Sequence, residues 1–221
     1  MLHGMCRTDA SMAKMATALK KEGFVVVNVD YPSREATIER LASTTISNVL
    51  QDPRIAQVNK IHFVTHSLGG ILIRQYLKTN SIERLGRVVM LAPPNQGSEI
   101  VDKLGQLSLF RAINGPAGLQ LATRQDSVPQ NLGSASFDVG IITGSRTVNP
   151  FLSLLIPGED DGKVSIESAR LEGMTDFCVM PATHPFIMKN RAVIEQTLVF
   201  LARGRFACHV QQSVATDRLL Q

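Results

Sequence analysis

Short apolar runs rich in β-branched residues alternate with amphipathic segments along most of the chain, and this alternation restricts the possible folds more than any other feature. The run over 24–29 is too short for a helix and apolar on both faces, which is typical of a central strand in a parallel sheet. The run over 61–65 is interpreted as the next strand. Three further strands are predicted, over 87–92, 137–143 and 177–180. We therefore expect an α/β fold with a mainly parallel central sheet flanked by helices.

Helices are predicted between these strands, where apolar side chains recur at helical spacing. They cover 8–22, 34–50, 68 to about 78, and 189–203. The segment 99–135 departs from the rhythm because it has loose helical stretches and no β-branched run, and we interpret it as a small cap inserted over the sheet edge. The prediction is a single domain over 1–203, followed by a C-terminal tail over 204–221.

The composition agrees with one globular domain. Of the 221 residues, 44% are hydrophobic and 19% are charged, which excludes a disordered chain. The 23 basic and 19 acidic residues give a net charge of +4 and are scattered, whereas a nucleic-acid-binding protein concentrates its basic residues on one stripe. Nucleic acid is therefore not an expected partner. No apolar run approaches 18 residues, so no transmembrane segment is expected either.

The three cysteines, Cys6, Cys178 and Cys208, lie far apart in the sequence. Their odd number and wide spacing argue against a disulfide scaffold and against a zinc site built from cysteines. We interpret all three as ordinary thiols, which favours a reducing compartment such as the cytoplasm, although the localisation is otherwise unknown. No metal and no other cofactor are expected.

The strongest chemical signal is the run THSLG over 65–69, between a predicted strand and a predicted helix. The hydroxyl of Ser67 would be a poor nucleophile unless it were exposed and held beside a base. A tight strand-to-helix turn places such a serine above the sheet edge, and small residues must flank it because strand and helix approach closely. Gly69 and Gly70 meet this requirement, while Thr65 stands where the commonest form of the turn has glycine.

An acid and then a histidine follow the serine, in the chain order that a hydrolase of this type requires. His184 would be the general base, and a carboxylate would hold its tautomer. The acidic turn offers Glu159, Asp160 and Asp161 as candidates for that carboxylate. We favour Asp161, because glycine follows it and a sharp turn lets its side chain reach back toward the histidine. Asp160 is the second choice.

Two backbone N–H groups are candidates for an oxyanion hole. The run His3-Gly4-Met5 follows a predicted strand end, and in such sites the residue after His-Gly donates one N–H group. The residue after the nucleophile, here Leu68, donates the other. The sequence therefore predicts that Met5 and Leu68 hold the oxyanion.

With these residues, the chain resembles the bacterial α/β-hydrolases of the lipase and esterase group, in the branch of EstA-like serine esterases. The resemblance rests on the runs over 2–5, 29–33, 66–70, 91–98 and 157–164, and on His184. It implies that Ser67 is the nucleophile, Asp161 the acid, His184 the base, and Met5 and Leu68 the oxyanion donors. It also implies hydrolysis of carboxylic esters, with small-molecule esters or lipids as substrates.

One departure from the family concerns the first strands. The family has at least one strand ahead of its His-Gly motif, whereas only Met1 and Leu2 precede His3 here. We therefore expect the first strands of the α/β-hydrolase fold to be missing. The 221-residue form is then expected to be less soluble and less active than a form extended upstream.

Two other functions remain open at this point. An acyltransferase or a thioesterase would use the same three residues, and an inactive hydrolase-fold protein would serve as a binding module. Apolar residues of the predicted cap and of the segment 151–156 could line an acyl pocket. For most of them, packing beneath the cap is the expected arrangement.

Overall fold

The computed structural model describes residues 1–208, and the rest of the predicted tail, 209–221, lies outside the described residues. Within them, parallel strands form one four-stranded sheet in chain order. The strands are β1 (Ile61–His66), β2 (Leu85–Leu91), β3 (Val139–Gly144) and β4 (Asp176–Met180). The predicted α/β fold with a parallel sheet is thus confirmed, and all four carboxyl ends lie at the same edge of the sheet.

Helices connect and cover the strands. They are α1 (Ala13–Lys21), α2 (Ile38–Leu50), α3 (Leu68–Thr79), α4 (Glu99–Leu104), α5 (Ser108–Leu119), α6 (Val128–Asn131), α7 (Pro150–Ser153), α8 (Ile166–Ala169) and α9 (Arg191–Arg203). Short 3-10 turns cover Asp9–Met12, Pro53–Ile55 and His184–Lys189. The side chain of Thr37 caps α2, and that of Asn190 caps α9 by accepting backbone N–H groups of the first turn.

Helices cover both faces of the sheet. Successive strand residues point to opposite sides, so each strand contributes side chains to both of these interfaces. Phe63, Val88 and Ile141 pack on one face with apolar residues of α2 and α3. Their chain neighbours Val64, Val89 and Ile142 pack on the other face with residues of α1 and α9. This is why the strands are apolar on both faces while the helices are amphipathic.

The segment 24–29 is not the central strand that its composition predicts. Only Val29 forms a bridge, to Leu2, and Leu2 forms a second bridge to Thr65 of β1. Nearer its start, the segment faces β1 across an apolar slot of about 290 Å³, lined by side chains that include Phe24 and Phe63. A strand requires a hydrogen-bonding partner along its length, and Leu2 pairs with this segment at Val29 alone. Strand propensity without that partner does not produce a ladder.

The segment 99–135 contains α4, α5 and α6 and no strand. Its assignment as a separate cap stays a prediction. The backbone bends inside α5 at Gly115, where φ is 63° and a Cβ would lie 2.0 Å from the carbonyl oxygen of Arg34. Most large apolar residues of this segment were expected to pack beneath it, but Leu107, Leu109 and Ile113 are exposed. That expectation is therefore wrong for these three side chains.

The structure also corrects the interpretation of the cysteines. Cys178 of β4 and Cys208 form a disulfide with their Cα atoms 6.4 Å apart, while Cys6 is free and exposed. The prediction of three ordinary thiols is wrong for this pair, because folding brings together residues that are 30 positions apart. Disulfides are typical of oxidising environments, so the cysteines no longer favour a reducing compartment.

Within residues 1–208, no helix combines the length and the apolar character that crossing a bilayer requires.

Candidate active site

Ser67 lies in the tight turn between β1 and α3. Its backbone has φ 50° and ψ −117°, a conformation that non-glycine residues rarely adopt and that is often found at functional sites. The N–H group of Ser67 donates to the carbonyl of Leu91 at 2.9 Å, and the N–H group of Gly70 donates to the carbonyl of Ser67 at 2.9 Å. These bonds hold the serine at the carboxyl-end edge of the sheet.

Close backbone contacts explain the small residues around this turn. A Cβ on Gly69 would lie 2.8 Å from the carbonyl oxygen of Leu2, and a Cβ on Gly4 would lie 3.2 Å from the Cβ of Ser67. The segment containing His3 and Gly4 therefore contacts the serine turn directly. Thr65 is fully buried in β1, where it pairs with Met90 of β2. A threonine thus fits the position that glycine occupies in the commonest form of the turn.

Ser67, His184 and Asp161 form one chain of hydrogen bonds. The Nε2 atom of His184 lies 3.1 Å from Ser67 Oγ, and its Nδ1 atom lies 2.8 Å from Asp161 Oδ2. All three side chains are buried. When Nδ1–H donates to the carboxylate, Nε2 is free to accept the proton of the serine hydroxyl. The structure therefore brings together the three residues predicted as nucleophile, base and acid.

Of the three acidic candidates, Asp161 is the one that contacts the histidine. Its Oδ1 atom accepts the N–H groups of Lys163 and Val164 at 3.0 and 2.9 Å. The backbone N–H of His184 donates to the carbonyl of Asp161 at 2.8 Å. These bonds fix the carboxylate and the histidine relative to each other.

The neighbouring acids have different surroundings. Asp160 is buried, and its carboxylate accepts the Oγ–H of Ser153 at 2.5 Å and the N–H of Gly162 at 2.6 Å. Its role in the structure is thus to close the acidic turn. Glu159 is exposed.

The N–H groups of Met5 and Leu68 are unoccupied donors. Leu68 is the first residue of α3, so its N–H has no partner within the helix. Within residues 1–208, neither this group nor the N–H of Met5 donates to a protein atom. The loop that carries Met5 is held by the N–H of Cys6, which donates to Ser33 Oγ at 3.2 Å. Both predicted oxyanion donors thus lack a protein acceptor among the described residues, and their role in an oxyanion hole stays a prediction.

His3 anchors the segment ahead of Met5. It is fully buried and stacks on Tyr31, with ring centroids 4.1 Å apart. The hydroxyl of Tyr31 donates to the carbonyl of His3 at 2.6 Å, and the Nδ1 atom of His3 lies 2.8 Å from the carbonyl of Gly4. Burial lowers the pKa of His3, which favours the neutral ring. Sequence reasoning did not assign this stacking role to Tyr31, although the run 29–33 was part of the resemblance.

The ring of His66 forms a hydrogen bond to the backbone of His184. Its Nε2–H donates to the carbonyl of His184 at 3.1 Å, and the two rings lie 5.0 Å apart. Burial lowers the pKa of His66 well below its ordinary value, and the nearby His184 contributes in the same direction. The ring is therefore held neutral, as a hydrogen-bond donor to the segment that carries the predicted base.

Arg74 of α3 connects that helix to two loops. Its guanidinium is buried and donates to the carbonyl and side-chain oxygens of Asn95 at 3.0 and 3.1 Å, and to the carbonyl of Gly133 at 2.8 Å. Burial lowers its pKa to about 10. This residue ties the loop after β2 and the end of the segment 99–135 to α3, which begins directly after Ser67.

No group of three or more His, Cys, Asp or Glu side chains within residues 1–208 is placed to share a metal ion.

The parallel sheet, the strand-to-helix turn at its carboxyl-end edge and the overall similarity to solved structures define an α/β-hydrolase fold. A sequence model of the palmitoyl protein thioesterase family matches residues 1–136, which is more than half of the chain. The chain belongs to this family. The matched part contains Ser67 and the His3-Gly4 segment, whereas Asp161 and His184 lie outside it. No curated protein sequence matches the chain.

Solved structures share the fold. The mature lipase BlEst2 of Bacillus licheniformis superposes with a TM-score of 0.70 at 19% identity, over 90% of this chain and 89% of that chain. Phospholipase PlaB of Legionella pneumophila matches with a TM-score of 0.62 at 20% identity, over 76% of this chain and 44% of that chain. The metagenomic carboxyl esterase MGS0156 matches with a TM-score of 0.62 at 18% identity, over 83% and 64%. This chain thus spans less than half the length of PlaB.

Proposed function

We propose that this protein is a serine hydrolase that cleaves carboxylic esters through an acyl-enzyme formed on Ser67. The observation that carries the proposal is the continuous hydrogen-bond chain from Ser67 Oγ through His184 to Asp161, with distances of 3.1 and 2.8 Å. Ser67 lies at a strained turn, and the two N–H groups without protein partners lie in the adjoining segments. This combination of a nucleophile, a base and oxyanion donors is what acyl transfer requires.

In the acylation step, Ser67 Oγ attacks the carbonyl carbon of the ester while His184 Nε2 takes the hydroxyl proton. The negative charge that develops on the carbonyl oxygen is held by the N–H groups of Met5 and Leu68. Removing one donor of this kind typically costs on the order of 10²- to 10³-fold in turnover. The C–O bond then breaks, and the leaving alcohol takes the proton from His184.

In the deacylation step, a water molecule replaces the alcohol. His184 accepts a proton from the water as its oxygen attacks the acyl carbon, and the proton then returns to Ser67 Oγ as the carboxylic acid leaves. Asp161 stabilises the imidazolium that forms in both steps. Its two backbone N–H bonds keep the carboxylate aligned with Nδ1 throughout.

A thioesterase is the second candidate, and the match to the palmitoyl protein thioesterase family favours it. The same residues would act, and the leaving group would be a thiol in place of an alcohol. An esterase should cleave the ester of a given acyl chain faster than the thioester, and a thioesterase should show the opposite preference.

Labelling with a fluorophosphonate probe tests the shared chemistry. The folded protein should be labelled at Ser67, and the Ser67→Ala variant should not be labelled. Turnover of a short nitrophenyl ester by that variant should fall on the order of 10⁴- to 10⁶-fold, with little change in thermal midpoint. An unlabelled folded protein would favour the binding module. Comparing kcat/KM for an ester and a thioester with the same acyl chain then separates the two candidates.

A further inference from the structure

The loop that follows β2 starts beside the turn of the predicted nucleophile. We call this loop, residues 92–98, the β2 loop. Leu91, the last residue of β2, accepts the N–H of Ser67 at its carbonyl oxygen at 2.9 Å. Ala92 then has a φ of 48°, and among residues 1–208 the other non-glycine residues with positive φ are Ser67 and Cys6. Backbone strain of this kind persists only where its surroundings over-determine it, and it clusters at functional sites.

One side chain of the β2 loop, that of Asn95, is fully buried and is oriented by Arg74 of α3. The guanidinium donates to the carbonyl oxygen of Asn95 at 3.0 Å and to its Oδ1 atom at 3.1 Å. No carboxylate within residues 1–208 forms an ion pair with Arg74, although a buried charge without a counter-ion is costly. Because arginine has donors and no acceptor, Oδ1 must face it and the amide Nδ2 must point away.

The amide of Asn95 and its two neighbours bind a segment that follows the predicted acid. Asn95 Nδ2 donates to the carbonyl of Ala169, the last residue of α8, at 2.8 Å. The N–H of Gln96 donates to the carbonyl of Ser168 at 2.9 Å, and the hydroxyl of Ser168 donates to the carbonyl of Gly97. Three consecutive residues of the β2 loop thus hold the end of α8.

The segment 159–169, which we call the acid segment, carries Asp161 and ends with α8. It is closed on itself, since the N–H of Ile166 donates to the carbonyl of Glu159 at 2.9 Å. Ser98 Oγ donates to the carbonyl of Lys163 at 3.4 Å, and the N–H of Lys163 donates to Asp161 Oδ1 at 3.0 Å. The β2 loop therefore contacts the acid segment at two places, and one of them is the residue that fixes the predicted acid.

We propose that Asn95 is a positioning residue that acts on the proposed hydrolysis through Asp161. Its amide joins α3 to the acid segment, while the start of the same loop is bonded to the turn of Ser67. Among residues 1–208, Asn95 forms no hydrogen bond with Ser67 or His184, so its effect on turnover must pass through the placement of the carboxylate. That effect rests on the proposed function, whereas the bond between His184 and Asp161 can be measured without turnover.

Asn95→Asp tests the amide donor alone. The carboxylate keeps an oxygen facing Arg74 but places a second oxygen against the carbonyl of Ala169, so these two oxygens repel and the acid segment shifts. We expect kcat for a soluble ester to fall by about 10- to 100-fold with little change in KM, since a misplacement of about 1 Å can cost on the order of 10²-fold in rate. Ser168→Ala removes one bond of the same contact without adding a charge, and it should lower kcat by about threefold.

Asn80→Asp is the matched control. Asn80 is exposed at the far end of α3, and its Nδ2 atom also donates to a backbone carbonyl, that of Tyr76, at 3.0 Å. This variant should keep the kcat of the parent. In the Asp161→Asn background, Asn95→Asp should lower kcat by less than about twofold further, because a residue that acts through a carboxylate has little effect once that carboxylate is gone.

The downfield proton NMR signal of His184 Nδ1–H reports the same contact without turnover. A proton in a hydrogen bond to a carboxylate is strongly deshielded, so the parent and Asn80→Asp should show this signal and Asp161→Asn should lack it. In Asn95→Asp the signal should move upfield. Thermal midpoints of all variants show that the compared proteins are folded.

Four outcomes would overturn the proposal. They are a parent without the downfield signal, an Asn95→Asp variant that keeps both the kcat and the signal of the parent, an equal loss of kcat in Asn80→Asp, and losses of Asn95→Asp and Asp161→Asn that multiply. A lower thermal midpoint of Asn95→Asp with unchanged kcat and signal falls under the second of these. If the fluorophosphonate probe leaves Ser67 unlabelled, the proposed function fails and the NMR signal alone decides whether Asn95 positions the acid.

Discussion

His66 Nε2 lies 3.1 Å from the carbonyl oxygen of His184, so the residue that precedes the nucleophile holds the backbone of the predicted base. The contact joins positions 118 residues apart and is fully buried. Its donor is kept neutral by burial, which lowers the pKa of His66 well below its ordinary value. The relative placement of Ser67 and His184 therefore depends on a second histidine that does not itself contact Ser67 Oγ.

We expect His66→Phe to lower kcat for a soluble ester by up to about tenfold while KM changes little. Loss of the donor leaves the His184 carbonyl unsatisfied, and a single hydrogen bond of this kind contributes about 0.5–1.5 kcal/mol. His66→Gln, which can still donate, should recover most of the activity. An equal loss in both variants, or a change confined to KM, would contradict a positioning role.

The two neighbouring aspartates should respond differently to the same change. Asp161→Asn should lower turnover on the order of 10⁴-fold, because a carboxamide favours the wrong tautomer of His184. Asp160→Asn should retain most of the turnover, since Asp160 contacts Ser153 and Gly162 and not the histidine. Its cost should appear as a lower thermal midpoint. Steady-state kinetics and thermal unfolding of both variants measure this, and a larger kinetic loss in Asp160→Asn would reverse the assignment.

Gly69→Ala should impair both stability and activity. The added Cβ would lie 2.8 Å from the carbonyl oxygen of Leu2 and 3.0 Å from that of His3, and these backbone atoms can yield only if the strand-to-helix turn moves. Overpacking of this kind typically costs about 1–3 kcal/mol. Urea unfolding gives the stability change, and ester turnover reports the displacement of Ser67. Gly23→Ala is the comparison, since a Cβ there meets no atom within 4 Å and the strain of its φ of +83° should lower stability without changing turnover.

Local sequence patterns predicted much of this architecture. The runs at β1, β2, β3 and β4 are apolar on both faces because helices cover both sides of the sheet, and that requirement is visible in a few consecutive residues. The turn at Ser67 was also recognisable from a few consecutive residues, since strand, serine, glycine and helix follow one another without interruption. The order Ser67, Asp161, His184 added the expectation that distant residues meet.

Tertiary structure decided the features that depend on which segments become neighbours. The run over 24–29 has strand composition but forms only the Val29 bridge, because its pairing depends on the partner beside it. Cys178 and Cys208 are unremarkable in the sequence and become a pair only when the segment after α9 reaches β4. The choice between Asp160 and Asp161, and the contact of His66 with His184, were likewise fixed by packing. Periodicity records which face of an element is buried, whereas pairing and contact across long sequence separations are set by the folded chain as a whole.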